Sequence, residues 1–149
     1  MRTARTLLAC ALLAGALAVP VSAEGKTSGG KAIDYLNQMR KRHGLRPFGA
    51  SHDLSRTSRA FAIWQMRQGR FGHRARVSCS RRWRSAGEAI AIYTGWDLRW
   101  RWVIRRWLNS PSHRGILLNS RFRWVGIGAD RGYFHGRRAT IWVLQAGGR

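Results

Sequence analysis

The sequence predicts an α+β domain. Three observations carry that expectation: helical periodicity in the earlier part of the chain, two runs rich in β-branched and aromatic residues near its end, and turn-forming residues between those runs. Helices first and a hairpin last suit a sheet covered by helices.

Residues 1–23 read as a targeting segment. Arg2 and Arg5 give a positive start, residues 7–19 an apolar middle, and Val21, Ser22 and Ala23 a small-residue cleavage signal. The apolar run falls short of the roughly 20 residues that a spanning helix needs. No later run approaches that length, so the mature protein is expected to be exported and to lack a transmembrane segment. Residues 24–30 (EGKTSGG) are expected to form a flexible linker, and residues 31–149 the folded domain.

Residues 31–43 then form the first expected helix, with Ile33, Leu36 and Met39 near one face and Gly44 as its stop. Asp53 is placed to cap a second helix running to Gln68. Leu54, Phe61 and Ala62 share one side of it, and Gly69 ends it. Trp96, Trp100, Val103, Ile104 and Trp107 recur at helical spacing, predicting a third helix over residues 97–108 with this aromatic stripe in the core. A short fourth helix starts with Ser110 as cap and Pro111 at its first position, which puts His113 in the first turn. Residues 123–129 (RWVGIGA) and 139–146 (ATIWVLQA) are the expected strands, with turn signals at Asp130-Arg131-Gly132 and Gly136.

Composition narrows the function classes. Lys and Arg together number 28 against 6 Asp and Glu, and the formal net charge is +22, of which Arg2 and Arg5 leave with the targeting segment. Such a balance attracts polyanions in a salt-sensitive way. Arg81, Arg82 and Arg84, residues 99–106, and Arg137 with Arg138 mix guanidinium and aromatic groups and are the candidate anion-binding positions. For an exported protein the expected partners are lipopolysaccharide, teichoic acid or acidic polysaccharide. No nucleic-acid reader motif accompanies the charge, so specific nucleic-acid recognition is not expected. No P-loop, dinucleotide fingerprint or C-x-x-C pair is present, so no motif supports a nucleotide or redox function. Cleavage after Ala23 would leave Cys79 as the one cysteine, either a small buried apolar residue, a free thiol or a partner for another chain.

Several short stretches together resemble the bacterial branch of the CAP superfamily, the cysteine-rich secretory, antigen 5 and pathogenesis-related 1 proteins. Leu36-Asn37-Gln38-Met39-Arg40 with Gly44-Leu45 and Pro47 is similar to the family's first helix. Phe71-Gly72-His73 resembles its F-x-H element, and Gly87-Glu88-Ala89-Ile90-Ala91 its G-E-N-I-A. Trp107-Leu108-Asn109-Ser110-Pro111-Ser112-His113-Arg114 resembles W-x-N-S-P-x-H-R. Val125-Gly126-Ile127-Gly128 and Trp142-Val143 match its closing strands.

The resemblance implies a three-layer α-β-α sandwich. It also implies a surface cleft formed by His73, Glu88 and His113, which stand at three positions of the family's two-His, two-Glu tetrad. The second Glu has no counterpart here, and Ala89 replaces the Asn of G-E-N. Two neutral imidazoles suit zinc or another divalent ion, so His73 and His113 are the candidate metal ligands. A carboxylate can orient a ring or move a proton, which makes Glu88 the candidate catalytic residue. The expected function is a secreted binding module of the cell envelope or exterior, extracellular or periplasmic. The alternative is a metal-assisted hydrolase of peptidase type using the same cleft. His43, His52 and His135 are expected to be solvated.

Overall fold

The computed structural model describes residues 27–77 and 83–148. Residues 1–26, Cys79, Arg81 and Arg82 lie outside the described residues. Helix α1 spans Ser28–Arg42, strand β1 Gly49–Ala50, α2 His52–Gln68, β2 Ser85–Thr94, α3 Trp100–Leu108, α4 Pro111–Leu117, β3 Trp124–Phe134 and β4 Arg137–Gly148. The sheet order is β1-β3-β4-β2, antiparallel except for the two-residue parallel contact between β1 and β3.

Alternation along the strands builds the three layers. Ala89, Trp142, Leu144 and Ala146 face α1, α3 and α4, meeting Leu36, Val103, Ile104, Trp107 and Leu117 in one core cluster. Ile90, Ile141 and Val143 face α2, where Phe61, Ala62 and Met66 cover them. The period of two puts successive side chains on opposite faces, so one sheet supplies both cores. The fold is therefore the α-β-α sandwich, of α+β class.

Helix α2 lies unusually close to β3. A Cβ built on Gly126 would stand 2.0 Å from the Ser55 amide nitrogen, and one on Gly128 2.3 Å from that of Arg59. The glycines of V-G-I-G thus let helix backbone rest directly on strand backbone.

Element boundaries correct several expectations. Thr27 caps α1 by accepting from the Gly30 amide at 3.2 Å, so Ser28, Gly29 and Gly30 form helix rather than linker. Ser51 caps α2 through the Leu54 amide at 3.3 Å. Asp53 lies in the first turn and pairs with Arg56 at 3.0 Å. Gly69 ends α2 at φ 58, as its sequence position suggests. The third helix begins at Trp100, and Trp96 sits 40% exposed outside it, so the aromatic stripe is only partly core. Trp107 carries the buried part and donates its indole N–H to the Ile90 carbonyl at 3.0 Å.

The closing strands continue through Asp130-Arg131-Gly132. The turn is confined to His135 and Gly136, at φ 48 and 74, the two-residue hairpin geometry that matches strand twist. Strand β2, visible in the sequence only as a motif, occupies the other edge.

Arg40 holds the helical layer together. It is wholly buried, donating to the carbonyls of Leu117 at 2.7 Å, Arg46 at 2.9 Å and Asn119 at 3.2 Å, while its guanidinium lies 3.7 Å from the centre of the Phe48 ring. Burial, and then the charge of Arg123, push its pKa down to about 10, so it remains cationic at neutral pH.

Candidate functional site

Strand β2 presents Glu88 opposite Gln145 of β4. The Glu88 side chain is only 3% exposed, and a chain of polar groups accounts for that burial. The Thr57 hydroxyl on α2 donates to Gln145 Oε1 at 2.6 Å, and Gln145 Nε2 donates to Glu88 Oε2 at 3.0 Å. Glu88 Oε1 stands 3.0 Å from His73 Nδ1. A carboxylate oxygen accepts, so His73 carries its proton on Nδ1 and leaves Nε2 for another partner. His73 is 51% exposed, which places the open end of this network at the surface.

His73 owes its position to the loop after α2. Gln65, buried in α2, accepts from the Gly72 amide at 3.0 Å, which tethers the loop one residue before the imidazole. Thr57, Gln65 and Gln145 belong to none of the motifs legible in the sequence. Their role is visible only once α2 is laid on the sheet, although Gln145 inside an apolar strand run is a local oddity.

His113 enters from α4. Its ring centre lies 6.3 Å from that of His73, and its Nδ1 is 3.0 Å from Ser110 Oγ. Ser110 is the N-cap residue of α4 by position, but its hydroxyl makes no capping bond and serves His113 instead. Burial first, and then the neighbouring His73, lower the pKa of His113 below the ordinary 6.5, which favours the neutral ring.

The structure thus brings His73, Glu88 and His113 together. Both Glu88 oxygens are engaged, and among the described residues no three His, Cys, Asp or Glu side chains are grouped to hold a metal ion. Catalytic zinc sites take three protein ligands and structural sites four. The two imidazoles alone fall short of that donor set.

The lowered His113 pKa has a consequence for stability. Below pH 6.5 the unfolded chain binds a proton that the folded ring resists. Stability is therefore fully present above 6.5 and is lost as pH falls from there through the lowered folded value. Urea titrations between about pH 7 and 5 should show this loss, and His113→Gln should flatten it. Equal slopes in the two proteins would show that His113 titrates normally.

The expected basic patches divide. Arg84 is exposed, but Trp83 beside it is buried and its ring packs over Gly147, so that aromatic belongs to the core. At the opposite end of β2 the aromatic groups do reach solvent. Trp96 meets Tyr133 edge-on at 5.6 Å, and Trp102 meets Tyr93 at 5.4 Å. Arg138 lies 4.8 Å from the Trp96 ring centre, Arg106 5.5 Å from that of Trp102, and Arg99 5.8 Å from that of Tyr93. Six residues of extended strand, about 20 Å, separate Thr94 at this end from Glu88.

Comparison with known proteins agrees with the fold. Residues 33–145 match the Cysteine-rich secretory protein family, CAP, and the chain belongs to that family. Among curated relatives, the uncharacterized protein YkwD of Bacillus subtilis is 26% identical over 124 residues, covering 77% of this chain and 45% of YkwD. The chain therefore spans less than half the length of that relative.

The fold is similar to that of an outer surface protein of Borrelia burgdorferi, with a TM-score of 0.62 and 22% identity over 78% of this chain and 89% of that one. It is also similar to an extracellular SCP-domain protein of Bacillus anthracis, with a TM-score of 0.65 and 20% identity over 82% of this chain and 40% of that one. No helix among the described residues is long and apolar enough to cross a membrane.

Proposed function

We propose that this CAP domain is an exported binding module that docks on an anionic envelope polymer through arginine and offers the His73, Glu88 and His113 cluster as a cleft for a small ligand. The observation that carries the reading is the stacking of Arg138 and Arg106 on exposed aromatic rings at one end of the sheet; Arg99, over Tyr93, already gives its Nε and Nη2 to the Asp97 carboxylate. A guanidinium stacked by its face keeps its edge N–H groups available for bidentate contact with phosphate or sulfate. Lipopolysaccharide, teichoic acid and acidic polysaccharide present such groups or carboxylates. The extracellular and outer-surface descriptions of the structural relatives support export, as does the targeting pattern of residues 1–23.

The experiment is a titration with heparin and with lipopolysaccharide at rising salt. If six or more anionic groups are engaged, affinity should fall by roughly a thousandfold between about 50 and 200 mM salt. Arg99→Gln, Arg106→Gln and Arg138→Gln together should weaken binding, as should Arg81→Gln, Arg82→Gln and Arg84→Gln. His73→Ala with His113→Ala should leave it intact. Salt-independent affinity, or affinity abolished by the two histidine changes, would sink the docking role.

A hydrolase is the second reading, favoured by the neutral-leaning His113 ring beside His73. In it His73 and His113 would hold a divalent ion and Glu88 would act as base. Both Glu88 oxygens are already engaged, which argues for an orienting role towards His73 instead. Metal analysis of the purified protein separates the readings. Stoichiometric metal lost in His73→Ala and His113→Ala would favour the hydrolase.

A further inference from the structure

Strand β1 covers only the first two residues of β3, and the rest of that sheet edge carries unpaired backbone. The two-residue turn makes Phe134 and Arg137 a hydrogen-bonded pair, so even-numbered β3 residues bond to β4. Odd-numbered residues point the other way, as Val125 shows by accepting from the Ser51 amide at 2.8 Å. Beyond Val125 the N–H and C=O groups of Ala129, Arg131 and Tyr133 therefore face away from the sheet. Among the described residues none of them has a backbone partner on that side.

The open edge does not face bare solvent. A cavity of about 830 Å³ lies along Ile127, Gly128, Ala129, Asp130 and Arg131, between the first turn of α1 and the flank of α2. Ile63, Leu98 and Trp142 contribute apolar surface, and Arg56, Arg59 and His52 add to the polar rim. The Arg59 and Arg131 side chains are exposed and make no hydrogen bond or ion pair with any described residue, whereas Arg56 is paired with Asp53. Asp130 is the one carboxylate in the lining.

Side-chain alternation places Arg131 on the α1 side of this edge, while Arg59 comes from α2 on the other. A strand laid against β3 would thus meet a guanidinium on each of its two faces. The net charge of +22 sets a second copy of this chain against such pairing.

We propose that the β3 edge is a docking site for an extended acidic peptide, which adds a fifth strand through the backbone of Ala129 and Arg131 and meets Arg59 and Arg131 with its carboxylates. Strand addition of this kind draws affinity from main-chain hydrogen bonds and selectivity from flanking side chains. Native sheets normally blunt such an edge, and here Arg131 also discourages like-charged partners.

The test uses an acetylated, amidated heptapeptide of alternating Glu and Val, titrated calorimetrically at about 150 mM salt, where exposed charges are well screened. A second peptide of the same sequence, N-methylated at every residue, keeps the charge but cannot donate backbone hydrogen bonds. Binding of the first should be at least tenfold tighter than of the second. It should slow amide exchange at Ala129 and Arg131. Arg59→Gln with Arg131→Gln should weaken it severalfold while leaving heparin binding unchanged, which separates this edge from the docking surface proposed above.

Equal affinity of the two peptides, with inorganic sulfate displacing both, would show an anion-binding cavity without strand pairing and overturn the proposal. So would an absence of binding at millimolar peptide, or exchange protection confined to residues away from β3.

Discussion

Gly126→Ala should destabilise the domain by about 3 kcal/mol or more, the upper range for overpacking. The added methyl would stand 2.0 Å from the Ser55 amide nitrogen and 2.2 Å from the Leu54 carbonyl carbon, both backbone atoms that cannot rotate aside. Relief requires moving α2 away from β3, and that helix also covers Ile90, Ile141 and Val143. The displacement would loosen the network that reaches Glu88, because Thr57 holds Gln145 from the same helix. A chain of this size loses roughly 4 °C of melting temperature per kcal/mol, so a drop of about 10 °C or more is expected in thermal unfolding.

The control is Gly115→Ala in α4, where a Cβ meets nothing within 4 Å. There alanine should stabilise by about 0.5–1 kcal/mol through helix propensity. Similar effects from the two substitutions would show that helix and strand can separate at little cost.

Arg40→Met should cost about 3–5 kcal/mol in urea unfolding, the range for breaking a buried charged contact by removing one partner. Methionine keeps much of the volume against Phe48 but supplies no donor. The Leu117, Arg46 and Asn119 carbonyls would lose a charge-assisted partner, and stranding a buried acceptor costs roughly 1–3 kcal/mol. Part of the loss is returned, because the buried guanidinium itself carries a desolvation penalty that methionine avoids. Leu117 and Asn119 flank the end of α4, the helix that carries His113. Arg40→Met should therefore also raise the amide-exchange rate of α4 more than that of β4. Arg40→Lys should recover only part of the stability, since one ammonium cannot reproduce the planar fork that reaches both ends. A cost below about 1 kcal/mol for Arg40→Met would mean that water replaces the guanidinium.

Much of the framework is legible in the sequence because local chemistry settles it. The Leu36-Leu54-Phe61-Trp107 periodicities, the Gly69 stop, Pro111 at the start of α4 and the closing apolar runs each report a preference that neighbouring residues satisfy. The motif set around His73, Glu88 and His113 points to the family, and these three side chains do come together.

Long-range register settles the rest. Whether Trp96 is core or surface depends on where α3 begins, since a periodic stripe does not mark its own first residue. Asp130-Arg131-Gly132 looks like a turn by composition, yet pairing with residues 139–141 of β4 holds it extended. Both oxygens of Glu88 are taken up by Gln145 and His73, partners 57 and 15 residues away, which no local stretch of sequence reveals. The open edge of β3 depends on how short β1 is, a property of strand pairing rather than of either strand's own residues. Local preference acts over a few residues of chain, whereas burial, hydrogen-bond satisfaction and strand edges are settled only when distant segments share one surface.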